Sequence, residues 1–243
     1  MRRISLAFMA TTAFIVAALG AGVSSASAAP YNWTGLYLGL HAGWDWGKSS
    51  ATEVAPGYNG VGNNWSANTS GFNGGVQAGY NWQATGTIIV WGIEGDLGYL
   101  GFNGSAVSPL ALTQASGTQV SATGGLYGSI RGRFGVAPGA GNLLFYVTGG
   151  WLFADVRAQI TDPVFVTPID PSARTGWQGG VTIGGGLEMA LSGAWTGWSV
   201  KGEYLYFNLG TKTVHASHTG DAGHNWDIKN TGNIIRLGLN RHF

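Results

Sequence analysis

Eight ionisable residues fall where a period-two reading of the chain sends their side chains to one common face: Glu94, Asp96, Arg131, Arg133, Glu188, Lys201, Glu203 and Arg236. Four are acids and four are bases. Enclosed in a narrow barrel, they could form a relay for ions or protons, or a paired polar plug. Charge balance favours the plug, because a desolvated charge needs a partner of opposite sign. The spacing predicts that Glu94 and Asp96 face Arg131 and Arg133, that Glu188 meets Lys201, and that Arg236 meets Glu203. Tyr37, Tyr127, Gln77 and Gln178 share this face and would fill the space between the charges.

A second cluster, His215, His218, Asp221 and His224, falls in a polar stretch near the C-terminus. Three histidines could ligate a metal or haem. Gaps of three and six on a glycine-containing loop do not preorganise a ligand set, so a solvated loop is the plainer reading, with no metal and no cofactor. Gly47-Lys48-Ser49 has the end of a phosphate loop, but Ala42 stands where the first glycine is required, and tryptophans occupy the cradle. No Ser-His-Asp arrangement or cofactor fingerprint stands out in the polar stretches. The reading is therefore not an enzyme.

The elements that position these residues are strands. From Asn233 to Phe243 one face carries Ile235, Leu237, Leu239, Arg241 and Phe243, and the other carries Ile234, Arg236, Gly238, Asn240 and His242. The same alternation recurs at about 35–47, 72–83, 89–99, 126–136, 143–154, 177–189 and 198–206. In each, large apolar residues share one face, while the other is mostly Gly, Asn, Gln, Ser and charges. Polar stretches at about 48–70, 100–123, 155–175 and 210–231 read as long loops, and short turns join the remaining strands. All seven prolines lie outside the strands, as their missing ladder donor requires.

Eight strands with alternating long and short connections predict an all-β fold: an eight-stranded antiparallel up-and-down transmembrane β-barrel with four long extracellular loops. Both termini fall on one side. Alternating the strand direction places Trp44, Trp46, Tyr99, Trp151, Phe153, Trp177, Tyr204 and Tyr206 near one rim. Tyr80, Trp82, Phe134, Phe145, Trp198 and Phe243 fall near the other. Two aromatic belts are what a barrel needs at the two membrane interfaces.

Composition agrees with the pattern. Charged residues make up 9% of the chain, against about 25% in ordinary globular proteins. There are 43 glycines, 11 tryptophans and no cysteine, which excludes disulfides and thiolate sites. A formal net charge of +1 gives no basic patch for nucleic acid. Mean hydropathy is only +0.10, and no stretch after the start supplies about 20 consecutive apolar residues for a helical span. The start itself, Met1-Arg2-Arg3, then mostly apolar Ile4 to Leu19, then Ala26-Ser27-Ala28, reads as a signal peptide over 1–28 cleaved after Ala28. The barrel domain is then 29–243.

Several segments resemble a known family: Asn32-Trp33-Thr34-Gly35-Leu36-Tyr37-Leu38-Gly39, Gly74-Gly75-Val76-Gln77-Ala78-Gly79-Tyr80-Asn81-Trp82, Tyr146-Val147-Thr148-Gly149-Gly150, Lys201-Gly202-Glu203-Tyr204-Leu205-Tyr206 and the terminal strand. They are similar to the small outer-membrane β-barrel family of porin-like surface antigens in Gram-negative bacteria, especially its alphaproteobacterial group. The resemblance spans essentially the whole mature chain. It implies Sec export, insertion by the barrel-assembly machinery with Phe243 as the assembly signal, and contact with outer-membrane lipid and lipopolysaccharide. Arg241 departs from the aromatic residue that the family pattern favours there. The implied role is an envelope structural protein and surface antigen of the cell outer membrane, with termini in the periplasm and at most weak porin-like channel activity. The alternative is a surface receptor binding hemin or host ligands through the long loops, with His215, His218 and His224 as the haem candidates. A lipid A-modifying hydrolase would need a Ser–His pair near the membrane rim, which the sequence does not offer.

Overall fold

The computed structural model describes residues 31–55, 61–108, 119–161, 174–216 and 224–243. Residues 1–28, read above as a signal peptide, lie outside the described residues. The described chain is almost entirely strand: β1 (Gly35–Val54), β2 (Asn64–Gln83), β3 (Ile89–Leu100), β4 (Asn103–Val107), β5 (Gln119–Thr123), β6 (Leu126–Val136), β7 (Leu143–Thr161), β8 (Arg174–Ala190), β9 (Trp198–Ala216) and β10 (His224–His242). A 3₁₀ turn at Gly193–Trp195 joins β8 to β9 and is the one helical element among the described residues.

Every pairing is antiparallel, and the sheet closes on itself because β1 has a partner on both sides. Leu40 stands opposite Val76 of β2 and opposite Leu239 of β10. The ring runs β1-β2-β3-β6-β7-β8-β9-β10, eight strands in up-and-down order. β4 and β5 are not extra staves. They pair with each other, with β2 and with β7, and so prolong β3 and β6 past a break at 101–102 and 124–125. Backbone hydrogen bonds from Gly101 to Phe72 and from Leu100 to Gly125 carry the sheet across that break. Closure leaves no sheet edge around the ring, the condition for crossing hydrocarbon.

The strands are longer than the periodicity suggested. Much of 48–70, 100–123, 155–175 and 210–231, read above as loop, is strand. A 20-residue strand such as β1 is about 65 Å long, or about 50 Å along the barrel axis at a tilt near 40°. The apolar band of a membrane barrel is about 25 Å tall. Roughly half of the barrel therefore stands outside the hydrocarbon, at the end opposite the termini. We call this the distal end, and the other the terminal end.

The side-chain pattern turns over where the barrel leaves the membrane. Near the terminal end β1 exposes Leu36, Leu38, Leu40, Trp44 and Trp46; beyond Trp46 its exposed positions include Lys48, while Ala51 is buried. In β2 the exposed residues are Asn64, Ser66, Asn68 and Ser70 before they become Phe72 and Val76, and Trp65 and Ala67 point in. The same strand is thus apolar-out in lipid and apolar-in in water. The distal lumen holds an apolar core of Ala51, Trp65, Ala67, Val120, Ala122, Ala158, Ile160, Val214, Trp226 and Ile228. A second apolar cluster includes Leu100, Phe102, Leu152, Val156, Leu205, Phe207 and Ile234. The distal lumen, built largely from stretches read above as loop, is therefore apolar, unlike the Gly, Asn, Gln, Ser and charges of the inward face read for the eight strands. The cause is solvent: with water outside, the distal walls gain by turning their apolar residues inward.

Candidate functional site

The lumenal charges come from five strands. β3 carries Glu94 and Asp96, β6 Arg131 and Arg133, β8 Glu188, β9 Lys201 and Glu203, and β10 Arg236. All eight are buried, because each occupies the inward phase of its strand. The ladder places Glu94 opposite Arg131, Glu188 opposite Lys201 and Glu203 opposite Arg236.

Arg131 is the hub of the network. Its Nη2 lies 2.5 Å from Glu94 Oε1 and 2.8 Å from Asp96 Oδ2, and its Nη1 reaches Glu203 Oε2 at 3.2 Å. Arg236 Nη2 bridges Glu203 at 2.6 Å and Asp96 at 2.9 Å. Arg133 Nη2 binds Glu188 Oε2 at 2.7 Å, and its guanidinium carbon sits 4.1 Å from the centre of the Tyr146 ring. The pairing expected between Glu188 and Lys201 is not made. Lys201 Nζ crosses to Glu94 Oε2, 2.7 Å away, and Glu188 accepts instead from Arg133, Ser199 and Asn240. In so narrow a bore the facing wall is as near as the neighbouring strand, and Glu94 can bind several cations at once.

Hydroxyls fill the remaining valences. Tyr37 donates to Glu94 at 2.7 Å, and Tyr146 donates to Glu203 at 2.8 Å. Tyr127 Oη accepts from Arg236 Nη1 at 3.2 Å and lies 2.8 Å from His41 Nε2. Gln77 donates to Asn240, and Asn230 donates to Gln178. Gly79 leaves room for the Tyr37 ring, which a Cβ there would strike.

The terminal mouth is capped. Trp33 is fully buried and donates its indole N–H to the Gly141 carbonyl at 2.7 Å. It packs with Val90, Ala137, Leu144, Tyr146 and Ala190, and edge-on against Tyr31 and His242. The charge network is therefore closed below by this cap and above by the apolar clusters.

Ser199, His242 and Glu188 also meet near this mouth. Ser199 Oγ is 2.9 Å from His242 Nε2, and Glu188 Oε1 is 3.4 Å from that same nitrogen. A nucleophile relay needs the carboxylate on the other ring nitrogen, so this is not a hydrolytic triad. Of the histidine cluster, His215 is exposed and shares a hydrogen bond with Asn225 at 2.7 Å. His218 and Asp221 lie outside the described residues, and His224 opens β10. No group of three metal-binding side chains occurs among the described residues.

The model for the outer membrane protein beta-barrel domain matches residues 14–243. The chain belongs to that family. It is 31% identical over 250 residues to a 31 kDa outer-membrane immunogenic protein of Brucella melitensis, covering 98% of this chain and 96% of that one. A 22 kDa outer membrane protein of Rhizobium leguminosarum is 28% identical, over 87% of this chain and 79% of its own length. Among solved structures, the outer membrane protein OprG of Pseudomonas aeruginosa superposes with a TM-score of 0.53 at 10% identity, covering 89% of this chain and all of that one. At that identity the likeness concerns the fold alone. This family member is an outer-membrane protein, and its exposed apolar band is in contact with membrane lipid.

On this family member both aromatic belts are outward. Trp44, Trp46, Tyr99, Trp151, Trp177, Tyr204 and Tyr206 are exposed toward one rim and Phe134, Phe145 and Phe243 toward the other, joined there by exposed Trp91; Phe153, Tyr80, Trp82 and Trp198, expected in the belts, are half-buried. Arg241 sits in the second belt. It donates to the Thr196 carbonyl at 2.8 Å and lies 5.8 Å from the Trp198 ring centre and 5.9 Å from that of Phe243. Two lumenal partners escape a search for charges alone: Tyr146, which abuts Arg133, and Trp33, which precedes β1. Asp45 and Glu53, both inward and buried on β1, also stand outside the four-to-four count.

Proposed function

We propose that this chain is a non-enzymatic envelope protein, a structural barrel and surface antigen whose lumen conducts weakly or not at all. The observation that carries the reading is the closed bore: eight paired charges, capped by Trp33 on one side and by apolar side chains on the other. The names of the Brucella relatives, immunogenic outer-membrane proteins, support the antigen role. In this reading the termini are periplasmic and the water-type distal extension stands above the cell surface. Residues 1–28 direct Sec export and are removed, and the strand ending in Phe243 is read by the assembly machinery.

Charge pairing supports a structural plug over a relay. A path for ions needs sites they can leave, whereas each of these carboxylates is held by several donors. The receptor alternative would place hemin on His215, His218 and His224, and the bond between His215 and Asn225 gives it no particular support.

Planar-bilayer recording of the refolded chain tests the proposal. Absent or small, brief steps are expected. Large, stable single-channel steps from the monomer would overturn the plug and favour transport.

A further inference from the structure

Asp45 is a lumenal acid with no ion pair among the described residues. It is fully buried on β1, and neither carboxylate oxygen has a hydrogen-bond partner. Asn73 and the backbone of Gly101 approach it without reaching hydrogen-bond geometry. The bases Arg131, Arg133, Lys201 and Arg236 are all engaged with other acids. Lys48 is close in sequence but belongs to the exposed face.

The carboxylate borders a small cavity shared with Ser49, Thr69 and Asn230 and walled by Phe102 and Phe207; Lys48 also borders it, from a residue whose side chain is exposed. Gly47, between Asp45 and Ser49 in the inward phase, creates the space; a Cβ there would strike the Thr231 carbonyl. Ser49 Oγ is buried and unpartnered as well. The cavity has room for one water-sized occupant. A buried carboxylate with no ion pair is strongly disfavoured unless its charge is matched or it takes up a proton.

We propose that Asp45, Ser49, Thr69 and Asn230 bind one dehydrated monovalent cation of about the size of sodium. The donors are oxygens, which suits a hard cation. One carboxylate matches one positive charge, whereas protein calcium sites combine several carboxylates and six to eight oxygens. Bound there, the ion matches the Asp45 charge and fills a gap between the apolar layers.

The test uses the mature chain refolded in detergent, in sodium chloride or N-methylglucamine chloride at equal ionic strength, so that ion entry is not limiting and screening is constant. The thermal midpoint of the wild type is expected to rise with sodium and to saturate. Asp45→Asn is expected to lose the response while unfolding no earlier than the sodium-free wild type. Ser49→Ala, which keeps the charge and carries the test should Asp45→Asn not fold, is expected to need several-fold more sodium for the same gain. Equal midpoints in the two salts, or a full response surviving in Asp45→Asn or unchanged in Ser49→Ala, would overturn the site. A protonated-carboxyl infrared band lost in Asp45→Asn, without any sodium response, would assign a neutral acid instead. A calcium response abolished by chelator would overturn the monovalent assignment.

Discussion

Lys201 faces Glu188 across the β8–β9 ladder, yet its ammonium lies 2.7 Å from Glu94, on the far side of the lumen. The bond ties β9 to β3, which share no ladder, and so braces the barrel across its diameter. Arg131 does the same between β6 and β9 through Glu203. Removing one member leaves others buried without a full complement of partners, which is the expensive way to break such a network.

Lys201→Met is therefore expected to cost about 3 kcal/mol in urea unfolding from lipid vesicles. In a double-mutant cycle, Lys201→Met and Glu94→Gln should couple by about 1–3 kcal/mol. Lys201→Met with Glu188→Gln should be closer to additive. Stronger coupling to Glu188 than to Glu94 would mean that the ladder partner, not the cross-lumen partner, takes the ammonium.

Trp33 predicts a different readout. Trp33→Ala removes a fully buried indole and its bond to the Gly141 carbonyl, and should cost about 3–5 kcal/mol. It should also raise conductance at the terminal mouth, because Trp33 is the largest buried side chain of the cap over Tyr146. Trp33→Phe keeps the bulk without the N–H donor, and should restore the low conductance but only part of the stability. Bilayer recordings and unfolding curves of the two variants separate cap from core.

The membrane half of this fold was legible because lipid outside and polar groups inside impose one alternation, strong in Leu, Ile, Trp and Tyr. The distal half was not. From Asn64 to Ser70 the alternation survives, but its outward residues are Asn and Ser and its inward ones include small Ala67 and Thr69, so the stretch resembles a polar loop. Adjacent apolar residues carried a hint: Ile234-Ile235 and Trp151-Leu152-Phe153 face lumen and lipid in turn, where an apolar lumenal layer begins. The identities of the eight network charges were legible from their phase. Their partners were not, because long side chains choose across a closed bore whose width and stagger no local pattern encodes. Asp45 was visible as inward, but its isolation depends on where four other strands send their bases.

Phe243 concerns assembly more than stability. The residue is 70% exposed, and its N–H donates to the Leu36 carbonyl at 2.9 Å, so its side chain adds little to the packed interior. Phe243→Ala should lower stability by only about 1 kcal/mol while sharply reducing the amount reaching the outer membrane in cells. Normal outer-membrane levels would remove the terminal aromatic residue from the assembly signal.

The reversal of side-chain pattern yields the sharpest test of placement, and the absence of native cysteine makes it clean. A cysteine at Ser66 would point outward into water on the distal extension, two residues from outward Asn64 and Asn68. A cysteine at Val76, on the same strand and in the same outward phase, would lie in the apolar band. A membrane-impermeant maleimide applied to intact cells is expected to label Ser66→Cys and to spare Val76→Cys. Thr85→Cys, in the exposed turn between β2 and β3, should be labelled only after the outer membrane is broken. Labelling of Thr85→Cys on intact cells, with Ser66→Cys protected, would invert the barrel and place the termini outside. Labelling of Val76→Cys would show that the apolar band is not buried in lipid. The cause of the expected order is physical: β2 changes its outward chemistry between Ser70 and Phe72, and a membrane boundary belongs where that change occurs.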